Sequence, residues 1–144
     1  MIDRELALKF QEMEKMAPRL RDGFAALTTA HQVFQGPAGL RSISVSDTHS
    51  DESIEATFNG VQVKFKLMLI FGPDRKPRAR IVCIHCHSTY GRPVQAMLGS
   101  FTFGPDGITD LEPDVEGNFP RIDADAPSIV LRFLDAAIVA NKVL

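Results

Sequence analysis

The stretch "SIEATFNGVQVKFK", residues 53–66, is the strongest structural signal in the chain. Apolar and polar residues alternate on both sides of Asn59-Gly60, which is the period of a β-strand with one buried face. Asn-Gly suits a two-residue type I′ turn, because both central residues of that turn take positive φ. The sequence therefore predicts an antiparallel hairpin whose register is set by the turn. The expected facing pairs are Phe58–Val61, Thr57–Gln62, Ala56–Val63, Glu55–Lys64 and Ile54–Phe65.

Alternation of period two extends the sheet on both sides of this hairpin. Upstream, "RSISVSD" places Ile43 and Val45 on one face of a first strand. Downstream, the third strand runs on to Phe71, and Gly- and Pro-containing turns separate the segments that follow. These segments predict further strands at about 79–88 and 94–103, and a short sixth strand around 108–111.

Helical periodicity marks the two ends of the chain. Apolar residues recur every three or four positions over residues 2–34, and Pro18 predicts a kink or break near Ala17. A closing helix follows Asp125, which is placed to cap it. The predicted fold is a single α+β domain over 1–144. It has an antiparallel meander of five to six strands, a long Pro18-kinked N-terminal helix and a C-terminal helix packed on one face.

Composition narrows the function classes. The 144 residues carry a net charge of −2 and 44% hydrophobic residues, which gives no overall attraction to nucleic acid or to a membrane surface. The longest strongly apolar run, "LMLIF" at 67–71, is too short to cross a bilayer. The charged N-terminus does not resemble a secretory signal. We therefore expect a cytoplasmic protein with no nucleic-acid or membrane partner.

"CIHCH", residues 83–87, matches the Cys-x-x-Cys-His attachment signature of c-type haem. The flanking residues Ile81, Val82 and Ile84 are strong strand formers, however. In a strand Cys83 and Cys86 point to opposite faces and cannot both hold one macrocycle. The alternation argues against c-type haem and against a disulfide between these two cysteines.

His85 and His87 share one strand face and form a candidate metal pair. Their Cα atoms would lie roughly 6.6 Å apart, close enough for two imidazoles to converge on zinc or iron. A third ligand would have to come from elsewhere, for example from His31, His49 or the acidic loop. The alternative is two strand histidines on a half-exposed face.

The cost of burying imidazoles favours a core that takes Val82, Ile84 and Cys86. In that case His85 and His87 lie on the open face of the sheet. An apolar corner would lie on that face and is the candidate partner interface; its residues are Met68, Ile70, Ile81 and Cys83. The alternative is that the twisted sheet wraps there and the corner belongs to the core.

Other motifs are weaker. Tyr90 and Arg92 follow the fourth strand and are candidates for the mouth of a pocket between sheet and helices. "DRKPRAR" at 74–80 concentrates four basic residues without the interleaved aromatic residues of a nucleic-acid site. The acidic residues of 110–116 do not follow the spacing of an EF-hand loop. The chain contains no nucleophile elbow, no P-loop and no dinucleotide-binding fingerprint.

These observations predict a small non-enzymatic binding or interaction protein, active as a homodimer. The binding surface would be the open sheet face or a cavity between sheet and helices, taking a protein or a small molecule. The alternative is a metal-binding protein or metal-dependent enzyme built on His85 and His87.

Overall fold

The computed structural model describes residues 1–49 and 52–141. Helix α1 spans Arg4–Ala25 and continues through a 3₁₀ segment, Ala26–Thr29, into α2, Ala30–Gln35. The strands are β1 Ile43–Asp47, β2 Ser53–Phe58, β3 Val61–Phe71, β4 Pro77–Thr89 and β5 Arg92–Phe103. Helix α3, Ala126–Asn141, closes the described chain.

The five strands form one antiparallel sheet in the order β1-β2-β3-β4-β5, which confirms the predicted meander. The central hairpin has the predicted register at each pair, from Phe58 opposite Val61 to Ile54 opposite Phe65. Asn59 and Gly60 have φ values of 46° and 85°, as a type I′ turn requires. The turn chemistry and the alternation therefore select the same pairing.

The structure decides two local alternatives that the sequence left open, a kink or a break at Pro18 and five or six strands. Helix α1 runs through Pro18 without a break, and the change of helix type comes later, at Ala26–Thr29. The segment expected to form a sixth strand at 108–111 makes only isolated bridges, from Thr109 to Phe103 and from Ile108 to Arg121. It therefore lies against the end of β5 without extending the sheet as a strand.

The core lies between one face of the sheet and the helices. Phe133 of α3 packs edge-on against Phe65 of β3, with ring centroids 5.9 Å apart, and stacks on Phe101 of β5 at 5.8 Å. Leu20 and Phe24 of α1 are buried in the same cluster. Aromatic pairs of this kind add to the free energy gained by burying their area, so they tie α3 to the middle of the sheet.

The predicted face of β4 is wrong. Phe65 is paired with Cys83, and Val63 with His85, so the odd-numbered side chains of β4 point into the core. The cause is the register of the hairpin between β3 and β4, in which Phe71 pairs with Pro77 across five connecting residues. Because of this register, odd-numbered residues of β3 pair with odd-numbered residues of β4 and share their face. The free energy gained from this pairing is larger than the cost of burying the imidazole of His85.

The outer edge of β1 is covered by side chains of α2. The backbone N–H of Val45 donates to Nδ1 of His31 at 3.1 Å. Nε2 of Gln35 donates to the carbonyl oxygens of Ile43, at 2.7 Å, and of Arg41, at 3.1 Å. Unpaired backbone groups on an edge strand can pair with other chains, and these contacts occupy the N–H of Val45 and the carbonyl of Ile43 on that edge.

A β-bulge interrupts the ladder between β4 and β5. Cys83 pairs with Gly99 and Ile84 pairs with Met97, so Leu98 is the extra residue. Gly99 has φ 155°, a conformation in which a side chain is strained. Because of the extra residue, odd-numbered Phe101 and even-numbered Ala96 lie on the same, helix-covered side of the sheet. Phe101 is buried there, whereas Ala96 lies beyond the core and is exposed.

Within the described residues, no helix combines the length and the apolar character that crossing a bilayer would need.

Candidate functional site

The side of the sheet opposite the core carries an apolar band. We call this side the open face, because the helices pack on the other side, where Leu20 of α1, Phe34 of α2 and Phe133 of α3 belong to the core cluster. Two members of the band are well exposed, Met68 at 48% and Met97 at 62%. The three others are half-buried by their strand neighbours. The band consists of Met68, Ile70, Val82, Ile84 and Met97.

The strand pairing makes these side chains neighbours. Ile84 lies directly opposite Met97 on β5 and opposite Lys64 on β3. Met68 lies opposite Arg80, and Ile70 lies opposite Arg78. Side chains that face each other across antiparallel strands have Cβ atoms roughly 5 Å apart, which joins Ile84 to Met97. Met68 is next to Val82 only on the diagonal, roughly 7–8 Å away, because Lys66 lies directly opposite Val82.

Basic side chains border the band. Arg78 donates from Nε to Oγ1 of Thr102 at 3.1 Å, and Arg80 donates from Nη2 to Oγ of Ser100 at 3.1 Å. These bonds hold both arginines across β5. The methylene groups of an arginine side chain cover apolar surface while its guanidinium group stays in water, so the border is both apolar and cationic.

The candidate partner interface is therefore divided by the sheet. Met68 and Ile70 lie on the open face, as expected. Ile81 and Cys83 are fully buried in the core and cannot contribute to that surface, which corrects the predicted grouping. Sequence reasoning missed Val82, Ile84 and Met97, since it assigned the first two to the core. The alternating pattern of β3, extended through the register of the next turn, was the signal that could have found them.

The two cysteines lie on opposite faces of β4, as the alternation predicts. Burial raises the pKa of the Cys83 thiol far above its usual range. Desolvation and, after it, the Glu55 carboxylate raise the pKa of the Cys86 thiol, against a smaller opposing effect of Lys64. Both thiols are protonated at neutral pH, so neither is an activated nucleophile.

The two histidines of β4 are neighbours in the structure. His85 is only 3% exposed, and its ring centroid lies 4.9 Å from that of His87, with the planes tilted by 35°. Burial and the neighbouring His87 lower the pKa of His85, which favours the neutral imidazole. Nδ1 of His87 is buried and has no hydrogen-bond partner among the described residues.

The candidate third ligands do not join this pair. His31 accepts a hydrogen bond from Val45 at the far edge of the sheet, and His49 lies in the exposed loop after β1. Over residues 1–49 and 52–141, no three His, Cys, Asp or Glu side chains are grouped as metal ligands would be. Two imidazoles alone leave a zinc site short of its usual three or four protein ligands.

Tyr90 and Arg92 lie at the tip of the β4–β5 hairpin. Tyr90 is 100% exposed and has φ 52°, and Gly91 follows with φ 76° in the same two-residue turn. Tyr90 points into solvent. Its position therefore differs from the prediction, which placed it at the mouth of a pocket between sheet and helices. The nearby cleft of about 370 Å³ is lined by residues of the two hairpins and does not include Tyr90 or Arg92.

The basic segment at 74–80 borders a shallow cleft of about 410 Å³. Its cations, Arg19, Lys76 and Arg78, stand beside Asp74 and Asp106. The carboxylate of Asp74 accepts a hydrogen bond from the backbone N–H of Lys76, and that of Asp106 accepts one from the N–H of Ile108. The mixed charge and the local bonding are typical of a structural turn, as the sequence indicated.

Comparison of the chain with protein-family models, with curated proteins and with solved structures found no significant match.

Proposed function

We propose that this chain is a non-enzymatic interaction protein that acts as a homodimer and binds a partner protein through the open face of its sheet. The observation that carries the proposal is the apolar band. Five apolar side chains on three neighbouring strands lie on the side of the sheet away from the helices. Clustered apolar surface rimmed by polar groups is typical of protein–protein contacts.

The side chains of the band fit such a role. Methionines adapt to different partner shapes, and Met68 and Met97 are the two most exposed side chains of the band. Arg78 and Arg80 are held by hydrogen bonds to β5, so they lose little freedom when a partner binds. A partner with an apolar centre and acidic margins would complement this surface.

The open face can be tested by selecting binding peptides from a random display library. Peptides selected on the parent protein should lose binding to Met68→Glu/Ile70→Lys, which places two charges in the band. The matched control, Leu131→Glu/Val139→Lys, makes the same changes at exposed apolar positions of α3. Peptides that bind both variants as well as the parent would place the binding surface elsewhere.

The homodimer is tested by the mass of the parent protein in solution. Light scattering during gel filtration at micromolar concentration should give twice the chain mass of 15.9 kDa. If the parent and Met68→Glu/Ile70→Lys both run as monomers, the proposed homodimer is wrong.

A second candidate function is metal binding by His85 and His87. It is favoured by the close approach of the two rings and by the unpartnered Nδ1 of His87. Metal analysis of the purified protein tests it. Stoichiometric zinc or iron that is lost in His85→Ala/His87→Ala would support a metal protein, and no bound metal after loading with either ion would rule it out.

A further inference from the structure

The outer edge of β5 differs from that of β1. At its far end, Thr102 is paired, because its N–H donates to Oδ1 of Asp110 at 2.7 Å and its carbonyl accepts from the N–H of Asp110 at 3.1 Å. From Arg92 to Met97, all residues are exposed, and no described residue bonds to the backbone from outside. This part of the strand is therefore an open edge.

Alternation shows which backbone groups point outward there. The two-residue turn at Tyr90-Gly91 closes on the pair Thr89–Arg92, so the N–H and carbonyl of Arg92 point to β4. Outward groups then belong to Pro93, Gln95 and Met97. Proline has no N–H and is tolerated at an outward position of an edge strand, so Pro93 agrees with this assignment.

The composition of the edge favours a second copy of the same chain. The segment "PVQAMLGSFTF", residues 93–103, contains no charged residue. In an antiparallel pair related by a two-fold axis, each strand meets itself in reverse. A register centred on Ala96 places Gln95 opposite Met97 of the other copy. The outward N–H and carbonyl groups of Gln95 then bond to those of Met97. Arg92 then falls opposite Ser100, so like charges do not face each other.

We propose that two copies of this chain join edge to edge through β5, antiparallel and centred on Ala96, to form one continuous sheet. This inference rests on the homodimer of the proposed function and identifies its contact. On the helix side of the sheet, Val94 of each copy packs against Leu98 of the other. The two open faces lie side by side in the joined sheet and remain free for a partner.

Charge substitutions at Ala96 test the pairing. Ala96→Lys and Ala96→Glu each bring two like charges together at the two-fold axis, so each variant alone should run as a monomer in light scattering. An equimolar mixture should form a heterodimer, because Lys then faces Glu. Far-ultraviolet circular dichroism checks that both variants are folded, which is expected at an exposed position.

A proline variant tests the backbone contact separately. Gln95→Pro removes an outward N–H while leaving the bonds to β4 intact, so it should also yield a folded monomer. Ser100→Pro is the matched control and should stay dimeric. Ser100 lies opposite Arg92 of the other copy, but Arg92 directs its N–H and carbonyl to β4, so the contact does not use the N–H of Ser100.

The outcomes separate this inference from the proposed function. If Ala96→Lys and Gln95→Pro stay dimeric while Met68→Glu/Ile70→Lys becomes a monomer, the copies meet through the open face. The β5 contact would then be wrong and the homodimer would stand. A parent protein that is monomeric throughout the micromolar range would overturn both. Heterodimers in the Ala96 mixture, with monomers of each variant alone, would establish the edge contact.

Discussion

His85 is a titratable side chain that the fold buries on the core face of β4. Its imidazole is 3% exposed, and burial together with His87 lowers its pKa below the ordinary 6.5. Because the pKa of His85 is lower in the folded protein than in the unfolded chain, the unfolded chain binds the proton more readily. Its contribution to stability is therefore complete above pH 6.5 and is lost as pH falls below that value.

The free energy of unfolding should therefore fall between pH 7.5 and pH 5.5, by at most about 1.4 kcal/mol per pH unit for this one group. Urea unfolding of the parent and of His85→Leu at both pH values measures the effect, and the variant should show a smaller decrease. His49→Asn, at an exposed loop position, is the matched control and should behave like the parent. An unchanged pH dependence in His85→Leu would contradict the assignment.

Gly23 is a second residue whose neighbours determine its identity. A Cβ at this position of α1 would lie 2.8 Å from Cε2 of Phe103, closer than carbon atoms pack. Ala is the better helix former by about 1 kcal/mol at an exposed position. At this site the clash should dominate, and we expect Gly23→Ala to lower the free energy of unfolding by about 1–3 kcal/mol.

The cause of that loss can be checked with a second substitution. Phe103→Leu removes the ring atoms that Ala at position 23 would meet. In the double variant Gly23→Ala/Phe103→Leu, the glycine change should cost less than it does in the parent background. Equal costs in the two backgrounds, measured by urea unfolding, would show that the contact with Phe103 is not responsible.

At the scale of elements, the covered edge of β1 depends on side chains of α2. Replacing Gln35 with Ala removes two hydrogen bonds, to the carbonyls of Ile43 and Arg41. Each such bond contributes on the order of 1 kcal/mol, so Gln35→Ala should destabilise the fold by about 1–2 kcal/mol. Gln32→Ala, an exposed glutamine of the same helix, should change stability by less than about 0.5 kcal/mol. Similar losses in both variants would argue against the edge contact.

The elements themselves were predictable where local chemistry acts alone. Asn59-Gly60 specifies its hairpin because the turn and the flanking alternation agree. The face of β4 was not predictable in this way, because Ile81 and Cys83 are as apolar as Val82 and Ile84. The register across the five-residue loop between β3 and β4 determines that the odd-numbered set, with Ile81 and Cys83, is buried. The cost of burying His85 with them was too small to change this register.

The candidate site shows the same division. Met68 and Ile70 were assigned to the open face from the continuous alternation of β3, and the structure agrees. Met97 depends on the bulge at Leu98, which alternation alone does not reveal. The face on which a side chain lies is thus predictable from a turn of known type until the next loop of unknown register or the next β-bulge. Beyond that point, the faces of later strands depend on three-dimensional packing.

At the scale of the whole molecule, the proposed homodimer makes thermal stability depend on concentration. Unfolding of a dimer is coupled to its dissociation, so the midpoint of thermal unfolding rises with protein concentration. For a chain of this size, a tenfold increase should raise the midpoint by roughly 2 °C. Calorimetry at several concentrations of the parent and of Ala96→Lys measures the effect. The variant should show no dependence, and a parent without dependence would contradict the dimer.

The hydrogen bonds from His31 and Gln35 to the first strand also limit how large an assembly can grow. A sheet with two free edges can add copies without end and form a fibre. Here the bonds to Val45 and Ile43 obstruct pairing at β1, so growth is favoured at β5, and the first added copy uses the same edge that it would need to continue. Strand pairing would therefore stop at two chains, each carrying its own closed edge at the outside of the joined sheet.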